Sequence, residues 1–208
     1  MMDKSMLIII GASGHGKVVA EIAQLNETYK KIYFMDDYSE KSSFHGLKIL
    51  GPANNLHHYK DKADIFVAIG NNSVRKYKIE KLLEENYSVP ILIHPNAVIS
   101  HSTNIGKGTV VMAGVIINAS VEIGLGVIVN TNSTIDHDSI IGNYTHISPG
   151  VSIAGTVKLG DEVWIGINST IINNINVLDN ILIGAGGLVI KDLVDSGVYV
   201  GTPVKKIK

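Results

Sequence analysis

The chain has 208 residues, 45% hydrophobic, 18% charged and 6% aromatic, with 21 glycines. Eighteen basic residues against nineteen acidic ones leave a net charge of -1, so there is no basic stripe for nucleic acid and no acidic arm. Cysteine is absent, which excludes disulfides, thiolate zinc sites and a cysteine nucleophile.

The first apolar run, Met6–Ile10, is too short for a signal-peptide core or a membrane span. The expectation is a soluble cytoplasmic protein. Leu7–Ile10 reads as a strand buried on both faces. It runs into Gly11-Ala12-Ser13-Gly14-His15-Gly16, and Lys17–Leu25 then reads as a helix with Val18, Val19, Ile22 and Leu25 on its apolar stripe. Lys31–Met35 is a second strand, closed by Asp36-Asp37. Asp64–Ile69 is a third, closed by Gly70-Asn71-Asn72, and a helix with Ile79, Leu82 and Leu83 follows. Strand, polar turn and helix in alternation predict a small Rossmann-like α/β domain over residues 1–90, with ligands at the carboxyl ends of its strands.

From Ile93 the period changes to six. Ile93, Ile99, Ile105, Val111, Ile117, Ile123, Val129, Ile135, Ile141, Ile147, Ile153, Leu159, Ile165, Ile171, Val177, Ile183 and Val189 keep one phase without a slip. Such a hexad predicts a parallel β-helix, with three hexads per 18-residue turn and the aliphatic residue pointing inward. The domain spans 91–190, with a tail over 191–208. The residue after each aliphatic is often Gly, Asn or Asp, as at Gly106, Gly124, Asn130, Asp136, Gly142 and Gly160. These are expected at the corners, where φ is positive. The fifth hexad position, as at Thr109, Ser133, Ser139 and Val157, is small or β-branched.

Gly11–Gly16 is not a full dinucleotide fingerprint, because Ser13 stands where the second glycine belongs and the sheet is too short for a dinucleotide fold. Hydride transfer is therefore set aside. The glycines still let a ligand approach the backbone, and the following helix offers free amides to a phosphate or other polar group. A metal is not expected, since Asp136, His137 and Asp138 are consecutive and do not converge.

The hexad register, the ending Gly201-Thr202-Pro203, and "IIIGASGHGKVV", "FMDD", "AIGNN" and "STIDHDSIIG" together resemble the two-domain left-handed β-helix sugar acetyltransferases of the bacillosamine, perosamine and sialic-acid pathways. The resemblance implies a homotrimer and acetyl-CoA as co-substrate in the cleft between neighbouring prisms. It also implies a nucleotide-linked 4-amino sugar as acceptor, with UDP the expected nucleotide. Gly14, His15, Asp36, Asp37, Gly70, Asn71 and Asn72 match the positions that hold the nucleotide-sugar. Asn130, His146, Gly155 and Ile167 are the residues expected on the coenzyme side. His137 matches the general base. A histidine with a pKa near neutrality accepts the proton of the attacking amine. The family usually pairs this histidine with Glu, whereas Asp138 follows it here. Neighbouring strand residues point to opposite faces, so Asp138 and Asp136 are both open as its partner. O-acetylation of a sialic-acid-type sugar, and a non-catalytic sugar-nucleotide binder, are the competing readings.

Residues 18 apart stack in a β-helix, which puts His137 between Ala119 and Gly155 with open space around the ring. The Gly155 N–H is then free to polarise a thioester carbonyl. His146 is half a turn away, so the two histidines meet only if neighbouring subunits each supply one. Trp164 stacks over His146. Lys17 and Arg75 are basic residues within reach of a phosphate or of water.

Overall fold

A computed structural model describes residues 5–208. It forms two compact units, one ending at Pro95 and one spanning Asn96–Lys208.

The first unit contains β1 (Met6–Ile10), α1 (Gly14–Leu25), β2 (Lys31–Met35), the hairpin β3 (Ser43–Phe44) and β4 (Leu47–Lys48), a 3-10 helix (Ala53–Tyr59), β5 (Asp64–Val67) and α2 (Asn72–Glu84). β1, β2 and β5 form a parallel sheet in the order β2-β1-β5. Leu7, Ile8 and Ile9 at its centre are fully buried, which accounts for the unbroken apolar run. β5 ends at Val67, two residues before the expected end of that strand.

α1 begins three residues earlier than the sequence pattern suggests. Ser13 caps it, accepting a hydrogen bond from the Gly16 N–H. Gly14 and His15 therefore lie in the first helical turn rather than in a loop. The buried stripe is Gly16, Val19, Ala20, Ile22 and Ala23, while Val18 and Leu25, both expected on it, are exposed. The reason is the approach of the helix to the sheet. A Cβ on Gly16 would collide with the Gly11 carbonyl oxygen, and one on Gly11 (φ +113°) would sit 2.8 Å from the Ala68 oxygen. That contact fixes which face of α1 turns inward, and small residues fill it.

The second unit is a parallel β-helix. Two-residue strands pair with strands 18 residues away, as in Ile116↔Thr134, Ile140↔Lys158 and His146↔Trp164. One sheet of the prism runs from Val98–Ile99 to Leu188–Val189 and a second from Asn104–Ile105 to Asn176–Val177. A third, which includes Val110–Val111, ends in Gly197–Gly201 and the antiparallel Val204–Lys206. Every sixth residue from Val111 to Val189 is buried; Ile99 and Ile105, in the end turn, are half-buried. Each buried aliphatic side chain is worth about 1.5–3 kcal/mol, so this column dominates the stability of the unit.

The fifth hexad position also points inward, and its hydroxyls link successive turns. Ser139 donates to the Ala154 oxygen and accepts from the Val157 N–H. Thr109 and Ser169 do the same in their own turns.

The corners are not where the sequence placed them. Positive φ falls three residues after the aliphatic position, at Gly108, Gly114, Ser120, Gly126, Asn132, Asp138, Tyr144, Gly150, Thr156, Glu162, Asn168, Asn174, Asn180 and Gly186. The glycines one residue after the aliphatic, such as Gly106, Gly142 and Gly160, are not among them. They are required by stacking instead. A Cβ on Gly106 would run into the backbone of Gly124 in the next turn, and one on Gly142 into Gly160.

Candidate active site

His137 lies at a corner of the prism, between the strands Thr134–Ile135 and Ile140–Ile141. Its N–H is held by the Asp136 side chain at 2.8 Å. Its carbonyl accepts the Thr156 N–H from the next turn, and the Asp138 N–H donates to Ala119 in the turn before. The backbone on both sides is thus fixed.

Asp138 carries φ +58°. That left-handed corner breaks the strand alternation and swings its carboxylate back toward the imidazole. Asp138 Oδ2 lies 2.8 Å from His137 Nδ1. Asp136 sits on the other side, its Oδ2 3.9 Å from Nε2. The hydrogen bond to Asp138, reinforced by the Asp136 charge, raises the His137 pKa above its ordinary 6.5. In the neutral ring, an Nδ1–H given to Asp138 leaves the Nε2 lone pair able to accept a proton. Asp136 in turn is kept ionised at lower pH than a free carboxylate, chiefly by the Asn118 amide, which donates to Oδ1 at 2.8 Å.

The ring has open space on one side only, its side chain being 56% exposed. It packs on Gly155, where a Cβ would come 2.7 Å from Cε1 and 2.8 Å from Nε2. Gly155 is buried. Its N–H donates to no backbone or side-chain acceptor among the described residues. The cause is local. The equivalent amides of Thr131 and His137 are taken by the side chains of Asn130 and Asp136 just before them, whereas Ala154 has no acceptor to offer.

His146 lies on a strand of the third sheet, away from the His137 corner. Its ring stacks on Trp164 at 5.4 Å and 10°. Asn130 Nδ2 is 3.4 Å from its Nε2, and Trp164 Nε1 donates to Ser148. Within one chain, then, Asn130 and His146 come together, while His137 and Gly155 form a separate pair. Ile167 is exposed.

In the α/β unit, Gly14 and Gly70 face open space; a Cβ on either would meet nothing within 4 Å. Asp36, Asp37, Asn71 and Asn72, also expected to hold the nucleotide-sugar, all have internal partners. Asp36 accepts the Ala12 and Tyr38 N–H groups. Asp37 accepts from the Ala53 N–H and from Lys78, and those bonds lower its pKa. Asn71 caps α2. Asn72 accepts from Arg75 Nη2 at 2.9 Å. His15 has a buried Nε2 with no hydrogen-bond partner. Burial, helped by Arg75, lowers its pKa to about 4, so its ring is neutral at physiological pH.

Arg75 is not a surface cation. It is 1% exposed, and its guanidinium donates to the Ile69 and Gly70 carbonyls, bracing the turn after β5. Lys17 lies 5.3 Å over the Phe44 ring. A cavity of about 480 Å³ opens beside Asp37, lined also by Ala53, His57, Tyr77, Lys78 and Tyr87. No sequence motif marked it, because the 3-10 helix and α2 that form its walls carry no glycine signature. Asn118 was missed too, although its distance of 18 residues from Asp136 is one full turn. Among the described residues there is no group of three or more His, Asp or Glu that would hold a metal, and no helix is long and apolar enough to cross a membrane.

Fold and site together define the class: a two-domain protein in which a parallel β-helix presents a histidine–carboxylate pair at one corner. Known proteins narrow this. The PglD N-terminal domain family matches residues 6–82. The acetyltransferase domain of PglB from Neisseria gonorrhoeae FA1090 is 38% identical, with a TM-score of 0.95 over 98% of this chain and 100% of that one; it has also been solved in complex with acetyl coenzyme A. PerB from Caulobacter crescentus, solved with CoA and GDP-perosamine, is 33% identical, with a TM-score of 0.91 over 97% of each chain. The UDP-N-acetylbacillosamine N-acetyltransferase of Bacillus subtilis (strain 168) is 36% identical over 110 residues, a match that spans 50% of this chain and 50% of that enzyme. The chain belongs to the family of two-domain β-helix sugar acetyltransferases.

Proposed function

We propose that this chain transfers an acetyl group from acetyl-CoA to the amino group of a nucleotide-linked 4-amino sugar, with His137 as general base. The observation that carries the reading is the His137–Asp138 hydrogen bond of 2.8 Å with the ring seated on Gly155. PglB bound to acetyl coenzyme A and PerB bound to CoA and GDP-perosamine support the substrate classes. No acyl-enzyme is needed. Nε2 takes a proton from the amine as its nitrogen bonds to the thioester carbon. The C–S bond then breaks, and the thiolate leaves as the free thiol with that proton. Holding amine and thioester side by side supplies much of the acceleration, and the unengaged Gly155 N–H is placed to receive charge on the carbonyl oxygen.

The α/β unit takes the nucleotide end, with Gly14 and Gly70 as the positions open to a ligand and the cavity beside Asp37 as room for base or ribose. Asn130, His146, Gly155 and Ile167 contact the coenzyme. A homotrimer with sites between protomers reconciles the separate faces that carry His137 and His146. The reaction belongs in the cytoplasm, where acetyl-CoA is made.

The pH profile tests the base. A base must be unprotonated, so kcat/KM rises with pH through the His137 pKa, and that limb lies above 6.5 because Asp138 raises it. In Asp138→Asn the anion is lost, while Asn still tolerates the left-handed corner. The limb then moves down toward 6.5. The same amine is used with both proteins, so its own titration cancels. Superimposable profiles would remove His137 from the base role.

A further inference from the structure

We infer that Asp136, fixed by Asn118, is the carboxylate that selects a cationic amine over a hydroxyl acceptor. The inference rests on the acetyl-transfer reading above and adds to it a determinant of acceptor class.

Asp136 is held on one side only. Its N–H donates to the Ile153 carbonyl. Its Oδ1 accepts both the Asn118 amide and the His137 N–H, each at 2.8 Å. Its Oδ2 has no hydrogen-bond partner among the described residues and lies 3.9 Å from His137 Nε2. The next position in the stack, 18 residues on, is Ala154, which has nothing to bond to that oxygen. Elsewhere in the prism the stacked carboxylates are used differently. Asp161 turns both oxygens to Asn143 in the turn below, and Asp179 takes the Asp161 N–H. Asp136 instead lines a groove of about 370 Å³ with Asn118, Ser152, Ala154 and Thr170.

Two acceptors 3.9 Å apart are bridged by one nitrogen at about 2.9 Å from each. A primary amine is largely ammonium near pH 7. As ammonium it gives one N–H to Asp136 Oδ2 and another to Nε2. That second proton passes by way of Nε2 to solvent and frees the nitrogen lone pair. The neutral amine keeps its N–H to Oδ2 while Nε2, again unprotonated, takes the next proton as the C–N bond forms. A hydroxyl has a single proton. If it goes to Nε2, Oδ2 faces oxygen lone pairs across the same gap. The pair therefore favours an amine, and the charge of Asp136 is what discriminates. Asn118 acts through Asp136 as a positioning residue.

Asp136→Asn isolates that charge, since its Oδ1 still accepts from Asn118 and from the His137 N–H. With the 208-residue chain, the KM for a nucleotide-linked 4-amino sugar is expected to rise about 3- to 10-fold. The Kd of the N-acetylated product, whose acetamido group carries no charge, should stay within about twofold. Asn118→Ala should shift the same two quantities in the same direction, less strongly. An unchanged KM overturns the inference, and so does an equal weakening of substrate and product, which would mark a merely structural role. A wild-type chain that releases no coenzyme A with any 4-amino sugar refutes the underlying acetyl-transfer reading, and the inference falls with it.

Discussion

Replacing His137 with alanine lowers kcat/KM for acetyl transfer by about 10²- to 10⁴-fold, the range for loss of a positioned general base. The fold should not change. The side chain is 56% exposed, and the turn-to-turn bonds of this corner are made by backbone groups of His137, Asp138 and Thr156. Thermal unfolding of H137A should therefore match the parent. Residual activity reflects proximity alone, which base removal leaves in place. Turnover near that of the parent would end the assignment of His137.

Gly155→Ala is expected to lower kcat by about 10²-fold, the penalty for displacing a reacting group by an ångström or so. Gly155 does not have the positive φ that would strain an alanine. The new Cβ instead meets His137 Cε1 at 2.7 Å and Nε2 at 2.8 Å. The ring has to rotate off its seat, and the bond to Asp138 moves with it. Gly142→Ala is the control. There the Cβ meets the backbone of Gly160, so stability is lost rather than chemistry alone. Steady-state kinetics alongside thermal unfolding separates the two, and a G155A protein with parental kcat would show that the ring position is not set by this contact.

What the sequence made legible follows from how each feature is encoded. The hexad register was readable because one buried position per six residues is a strict demand of stacked turns, and every site from Val111 onward is buried. The corner is not legible in the sequence because two different constraints both select small residues. Close stacking needs glycine at Gly106 or Gly142, while the left-handed corner accepts Ser120, Asp138, Tyr144 or Glu162 as well as glycine. With the corner expected one residue after the aliphatic position, Asp136 and Asp138 are equally available to His137. Once Asp138 is seen at the corner, its reach to Nδ1 follows.

In the α/β unit the strands were legible from short apolar runs, but the uses of the polar residues were not. Arg75 looks like any helix-surface cation, yet the turn after β5 folds its carbonyls over the guanidinium. Asn71 and Asn72 read as ligand contacts because they follow a strand end, and each meets a local need of α2. Sequence spacing shows which residues are near a strand end. It does not show how many of their hydrogen bonds the fold has already used.

We propose above all that the His137–Asp138 corner moves acetyl from acetyl-CoA to an amine on a nucleotide-linked sugar. Its most direct test is the initial rate of coenzyme A thiol release with UDP-, GDP- and dTDP-linked 4-amino sugars, each set beside its 4-hydroxy counterpart. Release is expected to depend on the amino sugar, to saturate in one nucleotide series and to be lost in H137A. Release that is faster with a hydroxyl acceptor, or absent with every amine, would contradict it.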